Sequence, residues 1–288
     1  MKHFDKGFII THHTFYEYDA PIFFEPHLLR FAVRKNPHIR SKAHAIKIQP
    51  NPAVSTEMID AEDNHVLSVS FENKYNRMEI ISTSELLIAD FNPFGFIIFP
   101  DQYLKVGFQY DEAHEAVLYA ALREIQVSNA LAALNKSLLK ECHYDTIQYL
   151  ILLTNTIHEQ YQKIHRHDGP PLMPEVLEKA KKGSCRDLAY LQMALGRNSG
   201  LACRFVSGYV LDETIEKDFE LHAWVEVFLP GAGWIGFDPS TGLAVDSRYV
   251  PVACSAFPQN TLPVSGNFRG SASSKLSTKI TVEKLSDC

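Results

Sequence analysis

Short runs of alternating apolar and polar residues dominate the N-terminal third of the chain. Runs rich in β-branched and aromatic residues occupy residues 8–18, 43–48, 65–71 and 77–88. The segments NPAV, AEDN and NKYN, which favour turns, lie between these runs. Period-two runs bounded by turn residues are typical of antiparallel strands. We therefore predict an N-terminal antiparallel β-sandwich domain over residues 1–95.

The apolar pattern changes after the segment ADFNPFGF. Apolar residues recur every three to four positions within residues 111–142, which predicts helices in a connector over residues 96–145. A further helix is expected over residues 146–162, capped by Asp145, and a short one starts at Pro174. Strand-like runs follow in the C-terminal half. The pattern therefore predicts an α+β protein with a second domain, a core followed by C-terminal strands, over residues 146–288.

Composition narrows the range of functions. The 288 residues suggest about two domains, and the formal charge of −6 is spread along the chain. A nucleic-acid partner is not expected, because nucleic-acid-binding surfaces need clustered Lys and Arg. There is no apolar run long enough for a signal peptide or a membrane span, so we expect a cytoplasmic protein with no membrane partner. The five cysteines have irregular spacings that suit neither a disulfide framework nor a CxxC metal site: Cys142, Cys185, Cys203, Cys254 and Cys288.

One cysteine lies where a helix is expected to start, in the segment KKGSCRDLAY. Ser184 followed by Asp187 resembles a capping box, which puts Cys185 in the first turn. Unpaired amides and the positive end of the helix dipole favour an anion there and lower the pKa of a thiol. A helix-start cysteine without any chemistry is the alternative. These residues alone favour that alternative.

The segment ELHAWVEVFLPGAGWIGFDPS reads as a β-hairpin around a Pro/Gly turn. If Phe228 pairs with Ala232, His222 lies directly opposite Asp238. A carboxylate in that position would fix the imidazole tautomer and orient its other nitrogen towards a nucleophile. A surface His–Asp pair of little energetic value is the alternative interpretation.

The same blocks, in order, resemble a known family. GSCRDLAYLQMALGRNSGLACRFVSGYV and LHAWVEVFLPGAGWIGFDPSTGL are similar to the core of the bacterial transglutaminase-like superfamily, whose members are often described as candidate cysteine proteases. The core resemblance covers about residues 146–245. THHTFYEYDAPIFFEPHLLRF is similar to the accessory N-terminal β domain of that family. Two segments depart from the pattern: CSAFPQNTLPVSG lacks the family's acidic residues, and YQKIHRHDGPP stands where relatives often have an aromatic residue.

The resemblance implies a papain-like core with helices packed on an antiparallel sheet. Cys185 would be the nucleophile, His222 the general base and then acid, and Asp238 the orienting carboxylate. The backbone N–H of Cys185 would be one oxyanion donor. The implied reaction is attack on a peptide or protein amide through a thioester acyl-enzyme, with no cofactor. Candidate residues for the substrate cleft are Trp224, Tyr209 and Trp234.

Several alternatives remain open. Water would make the protein a peptidase or amidase, whereas a primary-amine acceptor would make it a protein-glutamine transamidase. A non-enzymatic interaction module could keep the fold without turnover. His165 and His167 could form a metal pair, but no third ligand has a clear spacing, so a solvated loop is favoured and no metal is expected. The acidic segment over residues 212–220 is either a rim over the site or a solvated turn.

Overall fold

The architecture is described from a computed structural model, for residues 2–166, 169–211 and 219–285. The helices are α1 (Glu112–Leu122), α2 (Asn129–Glu141), α3 (Thr146–Gln160), α4 (Pro174–Ala180) and α5 (Cys185–Asn198); short 3-10 helices span Asp101–Leu104 and Pro258–Thr261. The strands are β1 (Lys6–Phe24), β2 (His27–Leu29), β3 (Ile39–Gln49), β4 (Val54–Ile59), β5 (His65–Ser70), β6 (Lys74–Ile88), β7 (Gln162–Lys163), β8 (Lys182–Gly183), β9 (Cys203–Val210), β10 (His222–Leu229), β11 (Gly233–Asp238), β12 (Leu243–Ala244), β13 (Tyr249–Ser255), β14 (Val264–Ser265), β15 (Phe268–Arg269) and β16 (Ser274–Lys284).

Two antiparallel sheets face each other in the N-terminal part. One contains β15, β1, β6 and β3 in that order, with β16 also paired to β1, and the other is β14-β2-β5-β4. Inward-pointing residues of both sheets form one apolar cluster that includes Phe24, Val69 and Ile80. Alternation along β1 and β6 produces this cluster, because every second side chain of a strand points to the same face. The predicted antiparallel β-sandwich fits this arrangement.

The C-terminal strand differs from its predicted location. We expected the C-terminal strands to belong to the catalytic core, but β16 pairs with β1 from Tyr18 opposite Ser274 to Phe8 opposite Lys284. Its alternating Ile280 and Val282 join the apolar cluster of the N-terminal sheet, which explains the placement. The boundaries over residues 1–95, 96–145 and 146–288 otherwise stay a prediction.

The candidate site lies in a second unit, the core, in which helices pack on one antiparallel sheet. Its antiparallel sheet has the order β12-β11-β10-β9-β13. Alternate residues of β10, from Ala223 to Leu229, are buried against α3 and α5 in one large cluster with Leu188 and Leu191. This is the predicted arrangement of helices packed on an antiparallel sheet. The helix predicted from residue 146 is α3, and the Asp145 side chain accepts from the Gln148 N–H as its cap.

The two units are joined by an apolar cluster and by buried polar contacts. Phe8 and Ile10 of the N-terminal sheet pack with Tyr209, Val250 and Val252 of the core sheet.

No helix in the described parts of the chain is both long enough and apolar enough to cross a membrane. Cytoplasmic localisation stays a prediction.

One polar connection is Asn64, in the turn between β4 and β5. Its amide is fully buried, and it donates to the Cys254 carbonyl at 2.8 Å and accepts from the Cys254 N–H at 2.8 Å. The neighbouring Glu62 carboxylate accepts from the Ala256 N–H at 2.6 Å. The turn therefore binds the backbone of β13 as a paired strand would.

Asn64→Ala is expected to lower the free energy of unfolding by about 2 kcal/mol, because it leaves the buried N–H and C=O of Cys254 without partners. Urea denaturation measures this change. Asn51→Ala, at an exposed position in the preceding loop, is the control and is expected to change the midpoint little. Equal midpoints for the two variants would contradict a structural role for the Asn64 amide.

Candidate active site

Cys185 is the first residue of α5, and the capping pattern seen in the sequence is present. The Asp187 carboxylate accepts from both the backbone N–H and the hydroxyl of Ser184, each at 2.7 Å. Cys185 therefore lies where the first-turn amides and the helix dipole favour a negative charge. The side chain of Cys185 is half-buried, so it remains open to a reactant.

The loop before the helix is bound to the same first turn. Asp187 is fully buried, forms an ion pair with Arg166 and accepts from the Leu172 N–H at 2.8 Å. Arg186, which directly follows Cys185, donates to the Gly169 carbonyl at 2.8 Å. These contacts hold the first turn of α5, and with it Cys185, against the preceding loop.

The predicted hairpin is formed by β10 and β11, but its register differs from the prediction by two residues. Leu229 pairs with Gly233, so the formal partner of Asp238 is Trp224 rather than His222. Left-handed glycines at Gly231 and Gly233 allow the turn to close one residue further along each strand. A shift of two keeps every side chain on its own face. His222 and Asp238 therefore remain diagonal neighbours within reach of each other.

A hydrogen bond joins this diagonal pair. His222 Nε2 lies 2.7 Å from Asp238 Oδ2. The side chain of His222 also hydrogen-bonds to the Cys185 thiol. Since Nε2 is taken by the carboxylate, Nδ1 is the nitrogen available to sulfur. The structure thus brings together all three predicted triad residues; their catalytic roles stay a prediction.

The Asp238 carboxylate has further donors that the sequence analysis missed. Ser240 donates to Oδ1 from its N–H at 2.9 Å and from its hydroxyl at 2.8 Å. Tyr249 donates to Oδ2 at 2.9 Å from β13. The spacing in the segment DPS is a signal for the Ser240 contact, because an Asp side chain commonly bonds the backbone two residues on. Tyr249 lies on another strand, so no local sequence pattern predicts its contact with Asp238.

Charge and burial together favour an ion pair at the site. The pKa of His222 is lowered by burial, but the Asp238 charge and hydrogen bond outweigh this and raise it to about 10. Burial raises the pKa of the Cys185 thiol, yet the hydrogen bond and charge of His222 bring it below its usual value of 9.0. Between these two pKa values the favoured state is a thiolate beside an imidazolium. That pair is a ready nucleophile with an adjacent proton donor.

The three side chains of the candidate triad are buried to different degrees. Asp238 is fully buried, the His222 side chain is 11% exposed and Cys185 is half-buried. The carboxylate is thus sealed from water, while Cys185 and His222 each keep some exposed surface. A reacting group would approach at Cys185.

Two of the predicted cleft residues are buried instead. Trp224 is inaccessible to solvent because it lies behind His222, with ring centroids 6.4 Å apart, and packs edge-on against Tyr249 at 5.3 Å. Tyr209 is 3% exposed, and its hydroxyl meets His12 Nδ1 at 3.0 Å between the two units. Neither can line an open cleft. Both support the elements that carry the site.

Trp234, the third predicted cleft residue, is half-buried at the turn end of β11. The Arg204 guanidinium lies 4.0 Å above its ring, and Phe228 packs edge-on at 5.4 Å. Asp238 is four positions further along the extended strand, a span of about 13 Å. It therefore lies away from the reacting groups.

The remaining candidates from the sequence are Cys203, the His165–His167 pair and the acidic segment over residues 212–220. Cys203 is buried as expected for a core residue, and burial raises the pKa of its thiol to about 12. His165 Nδ1 pairs with Glu220 Oε2 at 3.0 Å, while His167 lies outside the described residues. Among the residues that are described, no group of three or more His, Cys, Asp or Glu side chains is placed to hold a metal ion. Of the segment over residues 212–220, only Phe219 and Glu220 are described.

Alkylation rates should separate Cys185 from Cys142, another half-buried cysteine, whose thiol pKa is raised by burial. We expect Cys185 to react with iodoacetamide at lower pH than Cys142, because only the thiolate reacts. His222→Gln removes the hydrogen bond and the positive charge, so burial then dominates and the Cys185 profile shifts to higher pH. Mass spectrometry of the alkylated peptides measures both profiles. A Cys185 profile unchanged by His222→Gln would contradict the ion pair.

Comparison with known proteins agrees with this fold. A model described as the transglutaminase-like superfamily matches residues 129–239. A model described as the bacterial transglutaminase-like N-terminal region matches residues 8–86. Together they cover the larger part of the chain.

Individual relatives match shorter stretches. An uncharacterized protein of Mycobacterium leprae is 27% identical over 109 residues, which is 36% of this chain and 38% of that protein. An uncharacterized protein of Mycobacterium tuberculosis is 39% identical over 83 residues, 25% of this chain and 26% of that protein. These matches therefore span less than two fifths of the length of either curated relative.

One solved structure shares the whole fold. A crystal structure from Cytophaga hutchinsonii, described as that of a candidate cysteine protease, superposes with a TM-score of 0.74 and 17% identity. The match covers 100% of this chain and 93% of that one. At this identity the likeness establishes the fold alone. The two family models match successive parts of the chain, first the N-terminal region and then the core. The chain therefore belongs to the transglutaminase-like superfamily and joins its core to a bacterial transglutaminase-like N-terminal region.

Proposed function

We propose that this protein is a cysteine-dependent amide hydrolase, a peptidase or amidase, with Cys185 as its nucleophile. One observation carries the proposal: the thiol, the imidazole and the buried carboxylate form a connected chain of hydrogen bonds. The pKa of the Cys185 thiol is lowered while that of His222 is raised, as nucleophile and proton donor require. A protein that only binds partners has no need of this polarisation.

Acylation follows from the ion pair. The Cys185 thiolate attacks the amide carbon, and a carbon–sulfur bond forms while the carbonyl oxygen takes the negative charge. The backbone N–H of Cys185 faces that oxygen from the helix start. The His222 imidazolium gives its Nδ1 proton to the leaving nitrogen, the carbon–nitrogen bond breaks, and a thioester remains on Cys185.

Deacylation reverses the proton movement. Neutral His222 takes a proton from water, the resulting hydroxide attacks the thioester, and the Cys185 thiolate leaves again beside the imidazolium. A primary amine in place of water would give transamidation from the same acyl-enzyme. Asp238 keeps Nε2 protonated throughout, so that Nδ1 is the nitrogen that exchanges protons.

An amide-library screen with mass detection, run with and without a primary amine, tests this function. We expect hydrolysis products, a thioester adduct on Cys185, and a loss of turnover of about a thousandfold or more in Cys185→Ala. Cys142→Ala is the matched control and should retain turnover, because Cys142 is also half-buried but has no histidine among the groups that act on its thiol.

The products also separate the alternatives. Amine-linked products in place of acids would assign transamidation to the same acyl-enzyme. Turnover that survives Cys185→Ala contradicts the proposal. A wild-type protein that forms no adduct with any amide would instead favour an interaction module.

A further inference from the structure

A buried tyrosine on β13 shares one oxygen of the candidate triad with the histidine. The Tyr249 hydroxyl donates to Asp238 Oδ2 at 2.9 Å, and His222 Nε2 lies 2.7 Å from the same oxygen. Tyr249 is 3% exposed, so water does not compete for this hydrogen bond. Donors from two different strands therefore meet at one carboxylate oxygen.

The two donors share the same negative charge. The hydroxyl of Tyr249 points the positive end of its dipole at Oδ2, beside the positive charge of the His222 imidazolium. It therefore limits how strongly the Asp238 carboxylate stabilises that imidazolium. An imidazolium that is stabilised less gives up its proton more readily, as a general acid must.

The N-terminal unit holds the backbone of Tyr249 on both sides. Two residues before it, the Ser247 hydroxyl donates to Oδ1 of Asp90 at 2.6 Å, in the segment that follows β6. Two residues after it, the Pro251 carbonyl accepts from the Arg34 N–H at 2.9 Å. These bonds fix the stretch of backbone from which the tyrosine side chain reaches the carboxylate.

The N-terminal sheet also extends to the rings beside the histidine. A small cavity between the units is lined by Tyr249 and Trp224 from the core and by Ile39 and Ile88 from the N-terminal sheet. The ring centroids of the two aromatic residues lie 6.3 and 6.4 Å from that of His222. The N-terminal unit thus reaches the level of the candidate triad.

We propose that Tyr249 is a positioning residue for the His222–Asp238 pair, and that the N-terminal unit holds its hydroxyl on the carboxylate through β13. The role deepens the proposed amide hydrolysis and rests on it for its use in turnover, whereas the hydrogen bond acts on the site before any substrate binds. The N-terminal unit thereby sets the proton affinity of the general acid.

Other titratable and charged groups face these residues. Cys185 of α5 acts on His222. The groups around Tyr249 are the preceding Arg248 and, along the cavity, the side chains of His38, Glu226 and Asp246. The first test therefore removes only a hydroxyl and leaves all of these groups in place.

A nitrogen NMR titration of isotope-labelled histidine tests the hydrogen bond without a substrate. Tyr249→Phe keeps the ring and removes the hydroxyl, so we expect the pKa of His222 to rise from about 10 by about half a unit or more. Tyr209→Phe is the matched control and should leave this pKa unchanged. Tyr209 is as buried as Tyr249, and its hydroxyl also has a partner, His12 Nδ1 at 3.0 Å. Equal His222 titrations in the two variants would overturn the positioning role.

Further substitutions test the part played by the N-terminal unit. Ser247→Ala releases β13 before Tyr249, and Asn64→Ala releases it afterwards, at Cys254. The double variant should raise the pKa of His222, and adding Tyr249→Phe should then change it little, because one hydrogen bond cannot be lost twice. Ser247→Ala alone removes one half-buried hydroxyl, which the fold should tolerate, and should give a smaller rise. An unchanged pKa in these variants would overturn the role of the N-terminal unit.

Kinetics test the use of the hydrogen bond in turnover. On an amide found in the screen, Tyr249→Phe should lower kcat about fivefold with little change in KM, because a more basic imidazolium is a weaker general acid. A raised His222 pKa with an unchanged kcat would overturn the role in catalysis. Wild-type protein without amide turnover would contradict the proposed hydrolase alone, because the titration tests the position of Tyr249 separately.

Discussion

The buried carboxylate of Asp238 is the charge on which the rest of the site depends. A carboxylate removed from water is costly unless hydrogen bonds and an opposite charge compensate it. Asp238 has no exposed surface, and it receives donors from His222, Ser240 and Tyr249. Burial and the Asp238 charge raise the pKa of Tyr249, so its hydroxyl keeps the proton that it donates. The carboxylate in turn keeps His222 protonated, and the imidazolium stabilises the Cys185 thiolate.

The fold explains how distant residues meet around that carboxylate. Cys185 begins α5, His222 begins β10 and Asp238 ends β11, so the antiparallel order of the sheet places all three at the same end. Tyr249 comes from β13, at the opposite edge of the sheet from β12. Trp224 fills the space behind His222 and Tyr249 and keeps their rings in place. The N-terminal unit packs against β9 and β13 and thus buttresses this end of the core.

Local patterns predicted the site well where its contacts are local. The capping box around Cys185 and the hairpin that carries His222 and Asp238 can each be recognised within about twenty residues of sequence, because caps and turns depend on near neighbours. The exact register could not be derived, since either closure of the Pro/Gly turn satisfies the same alternation. The predicted His222–Asp238 contact is nevertheless present, because a register shift of two residues leaves both side chains on the same face of the sheet.

Contacts between distant segments were not predictable in the same way. β16 pairs with β1, although the two strands lie far apart in the sequence. Neither segment contains a local pattern that indicates which strand it pairs with. Trp224 and Tyr209 were expected in a cleft because they are aromatic and close to the site in sequence. Their burial depends on Tyr249 and on the N-terminal sheet, which only the assembled fold supplies.

The protonation state of His222 is the property to measure, because the proposed ion pair requires an imidazolium at neutral pH. Nitrogen NMR of isotope-labelled histidine, with the His222 signal assigned by its loss in His222→Gln, would follow the ring through a pH titration. We expect an imidazolium that persists through neutral pH and loses its proton near pH 10, and we expect Asp238→Asn to move that transition to lower pH. A His222 that titrates near 6.5 in the wild-type protein would contradict it.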